Sequence, residues 1–144
     1  MSNHEIMLGL QYLQSVLAGD ATLAGYAPGG VWRGYVPPGT SWPYVVYNFQ
    51  AGSDVLTQNA VRVMDSLLFQ VIVSGPSSMD VTLAAAATEI DKLLRRPAGT
   101  ATPDGLGYVL ACYRETPVMK DDLVNGEKWS DVGGLYRILL EQTS

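Results

Sequence analysis

Few residues in this sequence can carry acid–base or nucleophilic chemistry. It holds one histidine, His4, and one cysteine, Cys112. His4 lies at the frayed start of a predicted helix, so we expect neither a Ser-His-Asp triad nor a multi-histidine metal site to be assembled from one chain. Cys112 lies in an apolar strand with no neighbour in sequence that would lower its pKa, so we expect a buried, inert thiol. Most hydrolase mechanisms are therefore disfavoured.

Carboxylates offer another route to chemistry. Asp121 and Asp122, with Glu127 and Asp131, could gather around Mg²⁺ or Ca²⁺. Their spacing lacks the one-three-five pattern of a calcium loop, and a solvated surface segment explains the same residues equally well. A metalloenzyme is therefore the last of our three hypotheses, and we expect no metal site.

The segment 70–90, QVIVSGPSSMDVTLAAAATEI, turns from an apolar run into a small-residue helix. A helix N-terminus that follows a strand can bind phosphate through free backbone N–H groups. Here the turn has a single glycine, Gly75, and Pro76 after it lacks a backbone N–H donor. The Gly-Lys-Ser/Thr sequence of a phosphate-binding loop does not follow. We predict a structural corner with no cofactor.

Length and composition limit the class of protein. The 144 residues predict one domain, 1–144, and 47% of them are hydrophobic. Charged residues make up 16%, below the roughly 25% of a usual soluble chain, which leaves apolar surface for a partner. The net charge is -5 and no basic cluster exceeds Arg95-Arg96, so specific nucleic-acid binding is not expected.

The sequence also bears on the compartment. The single cysteine excludes an intramolecular disulfide, in keeping with a reducing compartment. The N-terminus lacks a basic region followed by an uninterrupted apolar run, and no run of about twenty apolar residues occurs elsewhere. We expect a protein that is soluble and cytoplasmic when synthesised, with no membrane partner.

Apolar residues at helical spacing predict two main helices. The first runs from about residue 4 to 18, and Asp20 after it is predicted to cap a short second turn. The second runs from about 79 to 95, with Ser77 and Asp80 spaced as a capping pair. The apolar stripes consist of Ile6, Leu10, Leu13 and Leu17 in the first helix and Leu83, Ala87, Ile90 and Leu94 in the second.

β-Branched and aromatic runs predict strands. The first two are expected to form a hairpin or a wider connection around Pro37-Pro38-Gly39. The predicted strands cover 31–36, 44–50, 61–74, 108–116 and 135–142. With the helices, they indicate an α+β fold: a mostly antiparallel sheet of about five strands with two main helices packed on one face.

The strand 61–74 is apolar on one face and partly apolar on the other, where Leu68 and Ile72 lie. The polar segment 117–134 is predicted to be a long loop that mixes apolar and charged residues. Trp and Met are enriched at protein contacts, and long loops are often functional. One hypothesis is that the loop is mobile in the free protein and ordered on assembly; the alternative is that Trp129 folds over the core. The interface candidates are Leu68, Ile72, Met119, Asp121, Asp122 and Trp129.

Three segments together resemble the tail terminator, or tail completion, proteins of long-tailed bacteriophages (siphophages). They are PYVVYNF (43–49), SLLFQVIVSG (66–75) before an alanine-rich helix, and GGLYRILLEQ (133–142). The resemblance is one of pattern and spacing and covers nearly the whole chain. It implies a small α+β virion protein that forms a ring, commonly a hexamer, on the finished tail tube.

The resemblance also implies what such a ring does. It stops tube polymerisation and offers the surface for head–tail joining, at the tail–neck junction of a virion assembled in the host cytoplasm. Its partners are other copies of itself, the tail tube protein and the head–tail connector protein, and DNA passes through it without specific binding. Catalysis and cofactors play no part.

A ring needs heterologous contacts, in which one patch meets a different patch on the neighbour, and a long strand that is apolar on both faces can supply them. This structural role is our first hypothesis. The second is a binding module whose sheet cradles a small apolar ligand, in a monomer or dimer. Its cavity would be lined by aromatic residues such as Trp32, Tyr35, Tyr47 and Phe49.

Overall fold

A mixed sheet flanked by helices organises the chain, as seen in a computed structural model that describes residues 3–56, 62–95, 100–103, 105 and 107–142. The prediction of an α+β fold is confirmed. Its helices are α1 (Asn3–Ala18), α2 (Ala21–Tyr26) and α3 (Asp80–Leu94), with a 3₁₀ turn at Ser77–Met79. Its strands are β1 (Val31–Arg33), β2 (Tyr44–Leu56), β3 (Arg62–Pro76), β4 (Thr100–Ala101), β5 (Gly107–Val124) and β6 (Glu127–Gln142).

Across the described residues the strands form one six-stranded sheet in the order β1-β2-β3-β6-β5-β4. All neighbours are antiparallel except β1 and β2, which run parallel with Val31 opposite Val45. Of the two predicted connections between the first two strands, the hairpin is wrong and the wider connection is the one present. The connection 34–43 is long enough to return the chain to the same end of the sheet, and Thr40 N donates to Pro37 O at 3.3 Å in the expected turn. The Trp42-Pro43 peptide bond within it is cis.

Helices α1 and α3 pack against one face of the sheet, which we call the helix face. Both predicted stripes are confirmed in the main, because Leu13, Leu17, Leu83 and Ile90 are buried there. Gly9 lets α1 lie close to the sheet, since a Cβ at this position would come within 2.6 Å of the Phe69 ring. The sheet contributes Leu67, Phe69, Val71, Val73, Tyr136, Ile138 and Leu140 to the same core.

The helix starts were predicted with mixed success. Asp20 caps α2 as expected, since its carboxylate accepts a hydrogen bond from Leu23 N at 2.9 Å. The capping pair at the start of α3 is wrong. The 3₁₀ turn separates Ser77 from the helix, and the N-cap position belongs to Met79, which makes no side-chain cap.

The segment 117–134 is not a loop. It lies within a β-hairpin in which β5 pairs with β6 from Gly107 opposite Gln142 to Val124 opposite Glu127. Asn125 and Gly126 form the two-residue turn with φ values of 52° and 78°, as a type I′ hairpin turn requires. The hairpin was missed because its outer part is exposed on both faces and lacks the apolar alternation of a half-buried strand.

Candidate interaction surfaces

The histidine and the cysteine of the sequence lie in different elements of the fold, α1 and β5. His4 is exposed in the first turn of α1. Cys112 is buried, as predicted, and burial together with the Asp91 carboxylate raises its thiol pKa to about 12. Tyr136 beside it also has a raised pKa, because it is buried and because its hydroxyl donates to Asp91 at 3.2 Å. These groups form a structural cluster under α3.

The acidic residues of the hairpin do not converge on a cation. Strand alternation puts Asp121 on the helix face, where it accepts a hydrogen bond from Ser130 Oγ at 2.6 Å, and puts Asp122 on the opposite face. Asp131 accepts a hydrogen bond from Ser74. Nowhere in the described ranges do three or more His, Cys, Asp or Glu residues form a metal-binding group. Asp121 and Asp122 therefore do not face a common site.

The aromatic residues of the ligand-binding hypothesis do not share a cavity. Tyr47 is buried on the helix face, and its hydroxyl donates to Gln14 at 2.6 Å. Phe49 packs on the same face, edge-on to Phe69. Trp32 lies opposite Val46, on the other face. The predicted aromatic cavity is therefore wrong, because alternation along β1 and β2 separates its members.

A cleft is present elsewhere, where α1, α2 and β1 meet. Its volume is about 140 Å³, below the several hundred Å³ of a usual small-molecule site. The residues that line it are mostly small and apolar: Leu17, Ala18, Leu23, Ala24, Ala27, Pro28, Gly30 and Val31. It offers no convergent charged groups to orient a ligand.

The sheet face opposite the helices, which we call the open face, has an apolar centre. Leu68 and Ile72 both lie there, as the period of two along β3 predicts. Leu68 is half-buried, whereas Ile72 is only 8% exposed. Half-buried neighbours extend the patch across β2, β6 and β5: Val46, Leu135, Leu139 and Val118.

An aromatic cluster closes one end of the open face. Trp129 packs edge-on against Trp42, with ring centroids 5.9 Å apart, and lies 6.4 Å from the Tyr44 ring. Burial and the nearby Asp131 raise the pKa of Tyr44. Trp129 is half-buried, so it neither joins the main core nor projects freely, while Trp42 remains 51% exposed. Sequence reasoning missed Trp42 and Tyr44, because they meet Trp129 only through the pairing of β2, β3 and β6 and the path of the connection that precedes β2.

Much of the exposed apolar surface lies on β5. Its outer edge is paired only at Tyr108 and Val109, by the short β4, so in the described chain residues 110–124 face no further strand. Met119 is 73% exposed and Leu123 is 70% exposed. The large exposed apolar residues of this strand are Tyr108, Tyr113, Met119, Leu123 and Val124.

The six interface candidates fall into two groups. Leu68, Ile72, Asp122 and Trp129 lie on the open face. Met119 and Asp121 lie on the other side of the hairpin, which continues the helix face. Asp121 is also tied to the sheet through Ser130, whose Oγ lies 2.7 Å from Ser77 Oγ. The candidates therefore define two surfaces that meet along the β5–β6 hairpin.

The fold is similar to that of a chain in the virion of a native gene transfer agent particle. The two chains are 20% identical, with a TM-score of 0.63 over 90% of this chain and 92% of that chain. A second solved structure is 16% identical over 96% of each chain, with a TM-score of 0.49. No protein-family model and no curated protein matches the sequence. The first likeness establishes a shared fold. No helix within the described ranges is long and apolar enough to cross a membrane.

Proposed function

We propose that this protein is a structural component of a bacteriophage-like virion and acts as a tail terminator. In this role several copies, commonly six, close into a ring that caps the tail tube, stops its polymerisation and presents the head-joining surface. The single observation that carries the proposal is the likeness of fold to a virion chain over 90% of the protein. The resemblance of segments 43–49, 66–75 and 133–142 to tail terminators supports the finer assignment.

The surfaces of the molecule support action by binding rather than catalysis. The open face carries an apolar centre around Leu68, and β5 presents Met119 and Leu123 to solvent. These two surfaces lie on opposite sides of the sheet, and exposed apolar patches mark protein contacts in soluble proteins. We assign the open face and the hairpin to contacts with other copies, the tail tube protein and the head–tail connector protein.

A ring with these contacts surrounds a channel through which DNA passes. The net charge of -5 suits passage without binding, because an acidic protein does not attract the phosphate backbone. The interface candidates on the hairpin include both charges and apolar groups, in keeping with a contact that has an apolar centre and a polar rim.

Two measurements test the proposal: the mass of the assembled protein and its effect on the length of tail tubes. Light scattering over a concentration series, with and without Mg²⁺, is expected to rise from the 15.5 kDa subunit towards a single multiple near six. The protein added to a polymerising tail tube protein is expected to shorten the tubes and to cap their ends in electron micrographs. A strict monomer that leaves tube length unchanged would overturn the proposal.

A further inference from the structure

We propose that the outer edge of β5 in one copy pairs antiparallel with the outer edge of β2 in a second copy, so that neighbouring subunits share one continuous sheet. This inference rests on the proposed function, since it names the contact that joins the copies of a ring. It concerns residues 118–124 of β5 and residues 51–55 of β2, which we call the donor edge and the acceptor edge.

The backbone of the donor edge points N–H and C=O groups away from the sheet, where a further strand could pair with them. In a two-residue turn the Val124 carbonyl accepts from the Glu127 N–H, so these residues form a hydrogen-bonded pair. Pairs alternate along an antiparallel ladder, which turns the N–H and C=O groups of 119, 121 and 123 away from β6. Pro117 supports this phase, because a proline is tolerated where its missing N–H would have pointed outward.

The acceptor edge lies at the other side of the same sheet. The short β1 covers β2 only from Val45 to Tyr47, and a bulge follows between Phe49 and Ala51. Beyond the bulge, β2 pairs regularly with β3 from Ala51 to Val55 and has no strand on its outer side among the described residues. The two edges thus expose regular stretches of similar length.

Strand direction selects the pairing of unlike edges. β2, β3, β6 and β5 alternate in direction, so β5 runs opposite to β2. A neighbour placed with the same face outward therefore meets β5 with an antiparallel β2, which continues the pattern of the sheet. Every copy then loses both free edges at once, as in a barrel, whereas β5 against β5 would leave β2 uncovered.

The side chains of the donor edge favour a covered state. Met119 and Leu123 point to one side of it and are 73% and 70% exposed in the single chain. An uncovered edge strand is a template for strand addition, and a contact between two unlike patches generates a ring when the rotation closes. The occupant inferred here is a second copy of this chain.

Met119→Pro tests the donor edge directly. Proline removes the outward N–H of residue 119 while it spares the ladder to β6, as Pro117 already does. We expect half-assembly, measured by light scattering, to require at least a tenfold higher concentration, with an unchanged thermal midpoint for the monomer. The matched variant Met119→Thr keeps the N–H and should assemble with a smaller loss. Assembly of Met119→Pro at the wild-type concentration would overturn the pairing while leaving the ring intact.

Cross-linking tests the identity of the two edges. Ser53→Cys and Asp122→Cys are prepared separately in a Cys112→Ser background; both positions are exposed and lie on the open face. Upon oxidation, the mixture of the two variants should form disulfide dimers and neither variant alone should do so. Dimers from Asp122→Cys alone would indicate β5 against β5, and no dimers at a concentration where wild-type rings form would also overturn the proposal. If the wild type forms no rings and leaves tube length unchanged, the proposed function itself is overturned, and this result is distinct from a failure of the edge pairing.

Discussion

At the scale of single residues, Gly133 in the middle of the sheet has no room for a side chain. A Cβ at Gly133 would lie 2.1 Å from the Val71 carbonyl oxygen and 2.8 Å from the Ile72 Cα. Both are backbone atoms, which cannot turn aside as the end of a flexible side chain can. The spacing of β3 and β6 at this point therefore depends on glycine.

Gly133→Ala is expected to destabilise the fold by about 1–3 kcal/mol, the usual range for overpacking in a well-packed site. Urea unfolding followed by circular dichroism measures the effect. Gly25→Ala is the matched control, because a Cβ at Gly25 meets nothing within 4 Å and alanine is favoured in a helix by up to about 1 kcal/mol. Equal stability of the two variants would contradict the close approach of β3 and β6.

Burial of Cys112 predicts a loss of stability at high pH. Its thiol pKa is about 12 in the folded chain against 9.0 for a free thiol, so above pH 9 the unfolded chain loses a proton that the folded chain keeps. The contribution is fully present below pH 9 and is lost as the pH rises towards 12. Between pH 8 and 10.5 we expect the wild type to lose about 2 kcal/mol more than Cys112→Ala in urea unfolding. Parallel curves for the two proteins would refute the shift.

Residue-scale inference from the sequence was reliable where the cause is local. The cap at Asp20 and the burial of Cys112 follow from neighbours in the chain, and both are confirmed. The aromatic cluster of Trp129 with Trp42 and Tyr44 depends on strand register across the sheet. No local pattern specifies that register, which is why the cluster was missed.

At the scale of elements, the β5–β6 hairpin gives a prediction for hydrogen exchange. In the monomer, the amides of 118, 120, 122 and 124 donate into the β6 ladder and should exchange slowly, whereas those of 119 and 121 point away from β6 and should exchange fast. Assembly should then protect the second set. The measurement is residue-resolved exchange by NMR below the assembly concentration and on rings. Uniform fast exchange from 118 to 124 in the monomer would restore the mobile-loop hypothesis.

The sequence predicted most elements, but it missed the outer hairpin, the pairing of β1, residues 51–56 of β2 and the short β4. Both main helices and the strand β3 follow from clear apolar periods, and the structure confirms them. The outer hairpin carries charges on both faces, so only its Asn125-Gly126 turn signalled strands. The parallel pairing of β1 depends on the path of the connection 34–43, and the pattern of apolar residues does not specify that path.

At the scale of the whole molecule, the open face is proposed as a contact surface, and a charge at Leu68 tests it. Leu68 is half-buried, so Leu68→Asp should cost the monomer about 1 kcal/mol while it raises the concentration for assembly more than tenfold. Light scattering and urea unfolding measure the two effects.

Two controls accompany Leu68→Asp, one at a more exposed position and one at a more buried position. Ala84→Asp, on the exposed surface of α3, should change neither quantity. Ile72→Asp should unfold the chain, since Ile72 is only 8% exposed. Equal losses of folding and assembly in Leu68→Asp would assign the open face to the core.

Because the outer edge of β5 is uncovered in the described chain, ionic strength should control how readily two subunits associate. Every copy carries a net charge of -5, so two copies repel each other before their edges meet. Salt screens that repulsion, with a Debye length of about 8 Å at physiological ionic strength, whereas backbone hydrogen bonds and apolar contacts persist. We therefore expect the subunits to stay dispersed in dilute buffer and to associate in concentrated salt, which light scattering over a salt series would measure.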